Sequence, residues 1–243
     1  SADDFADEGK LSAAERLRLL DGYRIELDAI EAGRPTAHPI FRRLRPVIAA
    51  HGLPLPLFRD LLDAFSQDVV KDRYATFAEL MDYCRRSADP VGRLVLLVFG
   101  YRDPDLLPLS DAICTGLQLA NHWQDLAVDL RKGRIYVPRE LLTKHDVPEW
   151  DLNGGRVSPG FIALMKELIA RTRALFDRGR PLCDKVHSDL RFEMRLTWLG
   201  GSGILDRIER NGYDVFRRRP SYGLAGKMGL AWRAWRWPAA SGT

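Results

Sequence analysis

Apolar residues recur every three or four positions along most of the chain, whereas alternation of apolar and polar residues is nearly absent. A spacing of three and four places side chains on one face of a helix, and strict alternation is typical of half-buried strands. The pattern therefore predicts an all-α fold, with no repeat of fixed period and no linker long enough to separate two domains.

Capping residues, glycines and prolines predict where the helices start and stop. Three N-terminal signals are present: a capping box of Ser12 with Glu15, a second of Thr76 with Glu79, and Ser110. The predicted helices cover residues 12–31, 39–51, 56–71, 76–99, 111–131, 159–179 and 188–210, with a short helix after residue 138. We expect Pro90 to kink the fourth helix and the glycines at 200–203 to weaken the last.

The composition is that of one globular domain of 243 residues, 46% of them hydrophobic. A chain of this length buries enough surface to fold without metal or disulfide staples, so a bound metal would serve function. The cysteines at 84, 114 and 183 are too few and too scattered for a disulfide framework or a four-ligand zinc site, which favours a reducing, cytoplasmic location. The longest strongly apolar stretch, residues 94–99, is far shorter than the roughly 20 residues of a membrane span.

Positive charge is concentrated at the C-terminal end. Residues 215–243 hold six cations and no acid, so the rest of the chain carries −2 of the total charge of +4. Trp232, Trp235 and Trp237 lie among these cations, a mixture that suits peripheral contact with an anionic lipid surface on the inner face of a membrane. A solvated or packed tail is the alternative, and nucleic-acid binding is the interpretation that the pattern favours least.

A polar stripe runs along the predicted helix 111–131. Gln118, Asn121 or His122, Asp125 and Asp129 recur at spacings of three or four, while the flanking positions are apolar. We therefore expect a largely buried helix whose stripe faces an interior cleft. Carboxylates four residues apart repel each other, more strongly once desolvated, so a positive group must compensate the two aspartates.

A surface ion pair is the ordinary explanation for two aspartates four apart. Aligned carboxylates can instead hold Mg²⁺, which takes a few oxygen ligands from the protein and leaves the rest to water or phosphate oxygens. A second acidic cluster favours the metal, because Asp3 with Asp7 and Asp4 with Glu8 repeat the spacing of four. Two helices with such pairs could bracket divalent ions and a diphosphate.

A bound phosphate also needs hydrogen-bond donors. Lys132, Arg134 and Tyr136 follow the second acidic pair directly and supply two cations and a hydroxyl at the end of the helix. A favourable charge at a helix C-terminus is the simpler role for the two cations.

The segment 83–94 is a further candidate region. Tyr83 could stabilise a carbocation through its ring face, or it could be a packed core tyrosine. Small residues, Ser87 among them, would leave room for a ligand beside this helix. His122 could act as a base, but a packed or hydrogen-bonded histidine is the simpler interpretation.

Four segments together resemble the squalene/phytoene synthase family of head-to-head isoprenoid synthases. They are DDFADE at 3–8, YCRRSADPVGRL at 83–94, LQLANHWQDLAVD at 117–129 and KGRIYVP at 132–138. The sequences SADPVGR and NHWQD within these segments are most similar to those of the hydroxysqualene synthases of bacterial hopanoid biosynthesis. The resemblance implies a single-domain class I isoprenoid synthase bundle around a central cavity in residues 1–220, followed by a basic, Trp-rich tail at 221–243.

Together with the patterns above, the resemblance predicts roles for the polar residues and Mg²⁺ as the cofactor. The predicted metal ligands are Asp3, Asp7, Asn121, Asp125 and Asp129; the catalytic residues are Tyr83, Asn121, Asp125 and Asp129; the substrate-binding residues are Ser87, Gln118, Lys132, Arg134 and Tyr136. In the family, a further segment precedes the first aspartates. The sequence starts at Ser1 and contains no counterpart of that segment, so we expect the N-terminus to be incomplete.

The implied reaction is the Mg²⁺-dependent conversion of presqualene diphosphate to hydroxysqualene with release of diphosphate. Condensation of two farnesyl diphosphates to presqualene diphosphate, or a phytoene-type synthesis, is the alternative on the same scaffold. A helical protein that binds prenyl lipids without catalysis is the second alternative, which the two intact acidic clusters disfavour. The sequence leaves the oligomeric state open.

Overall fold

The computed structural model of the chain describes residues 11–238, with the backbone alone at positions 188 and 189. Over this range the regular structure is helical, apart from one isolated parallel bridge between Arg73 and Ile135. The predicted all-α fold is therefore confirmed. The helices form two compact units, with residues 11–72 and 85–103 in unit 1 and residues 73–84 and 104–238 in unit 2. None of the described helices combines the length and apolar character that a membrane crossing needs.

Unit 1 is built on four helices and the end of a fifth. They are α1 (Ala13–Glu31), α2 (Pro39–His51), α3 (Leu55–Val70), the last residues of α4 (Phe77–Ser87), and α5 (Asp89–Val98). The first capping box is confirmed, since the Glu15 amide donates to Ser12 Oγ and the Ser12 amide donates to the Glu15 carboxylate. Leu20, Leu27 and Leu62 are buried where α1 packs against α3. Burial of such side chains contributes about 2 kcal/mol each.

The predicted helix 76–99 is two helices in the structure. α4 ends at Ser87, Ala88 leaves the regular helical geometry, and α5 begins at Asp89 with Pro90 in its first turn. Proline has no backbone N–H and is tolerated only where that group has no helical partner. The expected kink at Pro90 is therefore a complete break two residues earlier.

Unit 2 contains the first residues of α4 and eight further α-helices of the described chain. After a 3₁₀ turn (Pro104–Leu106) they are α6 (Leu107–Gln124), α7 (Leu126–Arg131), α8 (Arg139–Lys144), α9 (Glu149–Asn153), α10 (Pro159–Gly179), α11 (Leu182–Lys185), α12 (Ser188–Arg210) and α13 (Leu224–Trp235). α6 packs against α10 and α12. Trp123 of α6 is fully buried, and its indole N–H donates to Thr172 Oγ1 of α10 at 2.9 Å. This bond gives the buried indole N–H its partner, while the Thr172 hydroxyl itself donates to the Leu168 carbonyl at 2.8 Å.

Two predictions about the stripe-bearing helix are wrong. Ser110 is not its N-cap, because α6 begins at Leu107 and Ser110 is buried inside its first turns. Pro108 permits the earlier start, since a proline at the second helical position sacrifices no hydrogen bond. The helix also does not run unbroken to Arg131, because Asp125 adopts φ −99° and ψ 9° between α6 and α7.

The glycines of α12 do not interrupt it; they allow close packing. A Cβ added to Gly201 would lie 2.7 Å from the ring of Phe176 and 2.5 Å from Leu117. A Cβ added to Gly116 of α6 would lie 3.4 Å from the same ring. The Phe176 ring, 1% exposed, is thus held between glycines of two helices.

The basic C-terminal segment is partly packed, since α13 lies against α12. Trp237 is buried, contacts the Trp198 ring edge-on at 5.4 Å between centroids, and donates its indole N–H to Asp184 Oδ1 at 3.0 Å. The division of the chain at residue 220 into a catalytic domain and a tail stays a prediction.

We predict that Gly201→Ala lowers the free energy of unfolding by about 2 kcal/mol, because the buried Phe176 ring has no room to move. The neighbouring Gly200→Ala is the matched control. A Cβ there meets nothing within 4 Å, so the better helix former raises the free energy of unfolding by up to about 1 kcal/mol. Urea unfolding measures both, and equal effects of the two substitutions would contradict the packing.

A second prediction concerns Glu167 of α10. Its carboxylate bonds to Lys144 at 2.8 Å, His145 at 2.7 Å and Arg171 at 2.7 Å, and these donors lower its pKa from 4.5 to about 2. A lowered carboxyl pKa stabilises the fold fully above pH 4.5, and this contribution is lost as the pH falls toward 2. Glu167→Gln should therefore cost about 1 kcal/mol at pH 7 and progressively less below pH 4.5. Glu193→Gln, at an exposed position of α12, is the matched control, and equal losses in the free energy of unfolding for the two variants in urea at pH 7 would contradict this stabilisation.

Candidate active site

The polar strip, Gln118, Asn121, Asp125 and Asp129, lies along the end of α6 and through α7. The side chain of Asn121 is exposed, and the other three are half-buried, while the opposite side of α6 is buried in unit 2. The Asp125 amide bonds to the Asn121 carbonyl at 2.8 Å, and the Asp129 amide bonds to the Asp125 carbonyl at 2.9 Å. Because these i to i−4 bonds continue across the break, the strip stays on one side. The predicted burial of the helix is correct, but the strip itself is more exposed than predicted.

Asp125 is paired with an arginine that the sequence did not single out. Arg219 donates from Nε and Nη2 to the two carboxylate oxygens of Asp125, the second bond being 2.9 Å long, and also reaches Gln124 Oε1 at 3.3 Å. This hydrogen bonding raises the pKa of Arg219 above its ordinary value. The side chain of Gln124 in turn donates to the Pro220 carbonyl. Arg219 is therefore a positive group that compensates the strip.

A basic pocket opens beside this pair. Its volume is about 280 Å³, and four arginines line it together with Asn211, Pro220 and Ser221. These arginines are Arg207, Arg210, Arg218 and Arg219. A pocket lined by positive charges raises the local concentration of anions.

Four rings form an aromatic cluster next to the strip: Tyr74, Tyr83, His122 and Tyr136. His122 stacks on Tyr136 with 3.7 Å between ring centroids and 16° between the planes. Tyr83 lies 5.6 Å from Tyr74, 6.0 Å from Tyr136 and 6.2 Å from His122. All four residues are at most 8% exposed. Tyr83 is thus buried in a cluster of rings. Tyr74 also belongs to this cluster, although no sequence pattern indicated it.

His122 is a neutral, hydrogen-bonding member of this cluster. Burial lowers its pKa to about 3. Its Nε2 lies 3.3 Å from Nε2 of Gln118, and because an amide nitrogen only donates, the imidazole nitrogen accepts. The interpretation of His122 as a packed, hydrogen-bonded histidine is the one that this geometry supports.

The segment after α7 turns back over the end of that helix. The carbonyl of Asp129 accepts the amides of Lys132 and Arg134, both at 2.9 Å, and Gly133 provides the positive φ of 76° that the turn needs. Arg73 donates to the Gly133 carbonyl at 2.6 Å and pairs with Glu149. Lys132 is exposed, and Arg134 is half-buried.

The remaining candidates lie outside the described part of unit 2. Ser87 lies in unit 1, where its buried Oγ makes no hydrogen bond to any described residue. Asp3, Asp7 and their neighbours Asp4 and Glu8 lie outside the described residues.

The strip offers the ligand chemistry that Mg²⁺ prefers, namely two carboxylates and the amide oxygen of Asn121. Within residues 11–238, no three His, Cys, Asp or Glu side chains are grouped to hold a metal ion. The strip therefore fits Mg²⁺ as one part of a site completed by water, phosphate oxygens or further acids.

Arg219 and Arg73 could not be found from the sequence. Arg219 belongs to a run of three arginines that reads as surface charge, and its partner is 94 residues away. Arg73 contacts a backbone carbonyl and a glutamate 76 residues away, neither of which leaves a local residue pattern.

A squalene/phytoene synthase family model matches residues 1–225. Hydroxysqualene synthase of Rhodopseudomonas palustris is 37% identical over 211 residues, which cover 86% of this chain and 70% of that protein. Phytoene synthase of Arthrospira platensis is 34% identical over 225 residues, covering 87% and 72%. Among solved structures, squalene synthase HpnC from Alicyclobacillus acidocaldarius is 43% identical, with a TM-score of 0.82 over 88% of this chain and 80% of that one.

These similarities agree with the helical architecture of the chain. They confirm the resemblance found in the sequence and the isoprenoid synthase fold that it implied. The chain belongs to the squalene/phytoene synthase family and is an enzyme of that family.

Proposed function

We propose that the protein converts presqualene diphosphate and water to hydroxysqualene and diphosphate, with Mg²⁺ as cofactor. The observation that carries the proposal is the polar strip, with its two carboxylates four residues apart beside a pocket of arginines. The relatives called hydroxysqualene synthase and squalene synthase HpnC, at 37% and 43% identity, support this reaction over others of the family.

The proposed metal ligands are Asp125, Asp129 and Asn121, together with Asp3 and Asp7. When bound, Mg²⁺ would neutralise the diphosphate and stabilise the negative charge that develops on the leaving group. Arg219 holds the Asp125 carboxylate in a two-pronged contact. Because this arginine is half exposed, it can keep Asp125 oriented and still exchange partners at low cost.

The cations around the strip attract and hold the diphosphate. The four arginines of the pocket give the region a positive potential, which favours approach of a charged substrate. Lys132 and Arg134 follow Asp129 within one turn, so they are suitably placed to donate to phosphate oxygens. Gln118 adds an amide whose nitrogen is directed to His122, which leaves its oxygen available on the strip.

The aromatic cluster suits the cation that forms when the C–O bond to diphosphate breaks. Faces of tyrosine rings attract a positive charge, and Tyr83, whose neighbouring rings lie 5.6–6.2 Å away, supplies such a ring. His122 stays uncharged because of its low pKa, so it adds no repulsion next to a carbocation. Water then donates its oxygen to the rearranged cation and releases a proton, which balances the reaction.

The main alternative is condensation of two farnesyl diphosphates to presqualene diphosphate, or a phytoene-type synthesis. The 34% identity to a phytoene synthase supports it. A non-catalytic prenyl-lipid-binding role does not agree with membership of this enzyme family.

Product analysis separates these reactions. With presqualene diphosphate and Mg²⁺, we expect hydroxysqualene and free diphosphate, and with farnesyl diphosphate alone we expect no C30 product. Formation of presqualene diphosphate from farnesyl diphosphate, without turnover of presqualene diphosphate, would contradict the assignment. Removal of Mg²⁺ with a chelator should abolish turnover.

Substitution of Asp125 tests the strip. Asp125→Asn should lower kcat at least about a hundredfold, because a ligand to the leaving-group charge is lost, while the circular dichroism spectrum stays unchanged. Asp63→Asn is the matched control, since it breaks an arginine–aspartate pair with Arg24 at 2.8 Å in unit 1. Equal activity of the two variants would contradict a role for the strip in catalysis.

A further inference from the structure

Helix α13 has two apolar faces, and within residues 11–238 only one of them is packed. Leu230 and Ala234 are buried on the inner face, where α13 contacts α12. The outer face carries four large apolar side chains, Leu224, Met228, Trp232 and Trp235, which are 78%, 67%, 56% and 69% exposed. Their spacing of four, four and three residues places them in one stripe along the helix. Large apolar side chains that are exposed together mark an interaction surface.

The inner face is firmly held, which fixes the direction of the outer one. Trp237, just after α13, bonds to Asp184, and the guanidinium groups of Arg180 and Arg195 lie 5.0 Å and 5.6 Å from its ring. Packing within unit 2 therefore explains why Trp237 is buried, whereas Trp232 and Trp235 are exposed.

Cations flank this outer stripe. Helical geometry places Lys227 on one side and Arg236 on the other, and both are exposed. The Arg236 guanidinium lies 5.4 Å from the ring of Trp232, and Trp232 lies 5.2 Å from Trp235. The sequence from 215 to 243 contains no acid, so the surface pairs apolar side chains with positive charge only.

A pocket of about 450 Å³ opens at the end of the stripe. Three arginines and three indoles line it, with Leu199 and Pro238: Arg180, Arg233, Arg236, Trp198, Trp232 and Trp237. Guanidinium groups around a recess suit a phosphate group, and indoles are amphipathic rings that favour the boundary between water and lipid.

We propose that α13 docks on the surface of an anionic phospholipid bilayer. The helix would lie parallel to the surface, with Trp232, Trp235 and Met228 among the headgroups and Lys227 and Arg236 against the phosphates. A nucleic acid would match the cations but not the apolar stripe, whereas an anionic bilayer matches both. This inference goes beyond the proposed function and does not depend on it.

Vesicle cosedimentation of the full chain tests the apolar part of the surface. The chain should bind vesicles of equal parts phosphatidylcholine and phosphatidylglycerol, and bind pure phosphatidylcholine much more weakly. Trp232→Ser combined with Trp235→Ser should weaken binding to the anionic vesicles by about tenfold or more, since two indoles no longer leave water. The matched control is Trp150→Ser, because Trp150 is 65% exposed on α9 and should not affect binding.

Charge reversal tests the electrostatic part. Arg236→Glu should weaken binding by about fivefold or more, and Arg178→Glu, an equal change at an exposed position of α10, should have a smaller effect. Added salt should weaken binding of the parent chain.

Three results would overturn the proposal. The parent chain could fail to bind anionic vesicles, or the double tryptophan variant could bind as tightly as the parent. Sedimentation velocity could instead show a dimer that the double variant converts to a monomer without vesicle binding, which would make the face a contact between two copies of the chain.

Discussion

The central constraint on unit 2 is that α6 lies between an apolar core on one side and a charged, partly exposed strip on the other. One side of α6 carries Trp123 and Leu119 into the core against α10 and α12. The other side begins the polar strip, which continues past the end of α6 to the carboxylates of Asp125 and Asp129. Burial of these carboxylates without partners would strongly destabilise the fold. The structure meets both demands by leaving the strip half-buried and by bringing Arg219 to Asp125.

This arrangement links the C-terminal part of the chain to the acidic strip. The segment around Pro220 is bonded to the end of α6 through Arg219 and through the Gln124 side chain. From there the chain continues into α13, whose inner face returns to α12. Arg218 and Arg219 of the basic run are therefore part of the candidate site rather than of a detached tail, and α13 leaves its outer face exposed.

Uncharged aromatic groups lie directly beside the charged strip. His122, one residue after Asn121, is buried and stacked on Tyr136, and its pKa of about 3 keeps it neutral at physiological pH. The candidate site thus places the carboxylates of the strip beside the uncharged rings of the aromatic cluster. Gln118 connects the two parts, since its amide is bonded to His122 while its side chain belongs to the strip.

The sequence by itself determined the helical fold, most helix boundaries and the spacing of the acidic strip. These features depend on local rules: the 3.6-residue period, the capping box at Ser12, and aspartates four residues apart. The resemblance of four segments to the squalene/phytoene synthase family added the candidate chemistry, because the combination of these segments is specific to that family. The start of α6 before Ser110 was missed, although Pro108 is compatible with a first helical turn there. The break at Asp125 was missed because no proline or glycine marks it.

Only the tertiary structure decided which distant groups meet. Arg219 pairs with a residue 94 positions away, Tyr74 joins Tyr83 and Tyr136, and Gly201 lets Phe176 pack between helices. Such contacts follow from the three-dimensional path of the chain, which residue patterns along one helix do not encode. For the same reason the sequence showed that tryptophans and cations share the C-terminal segment, whereas the structure decided which of these tryptophans are buried and which face solvent.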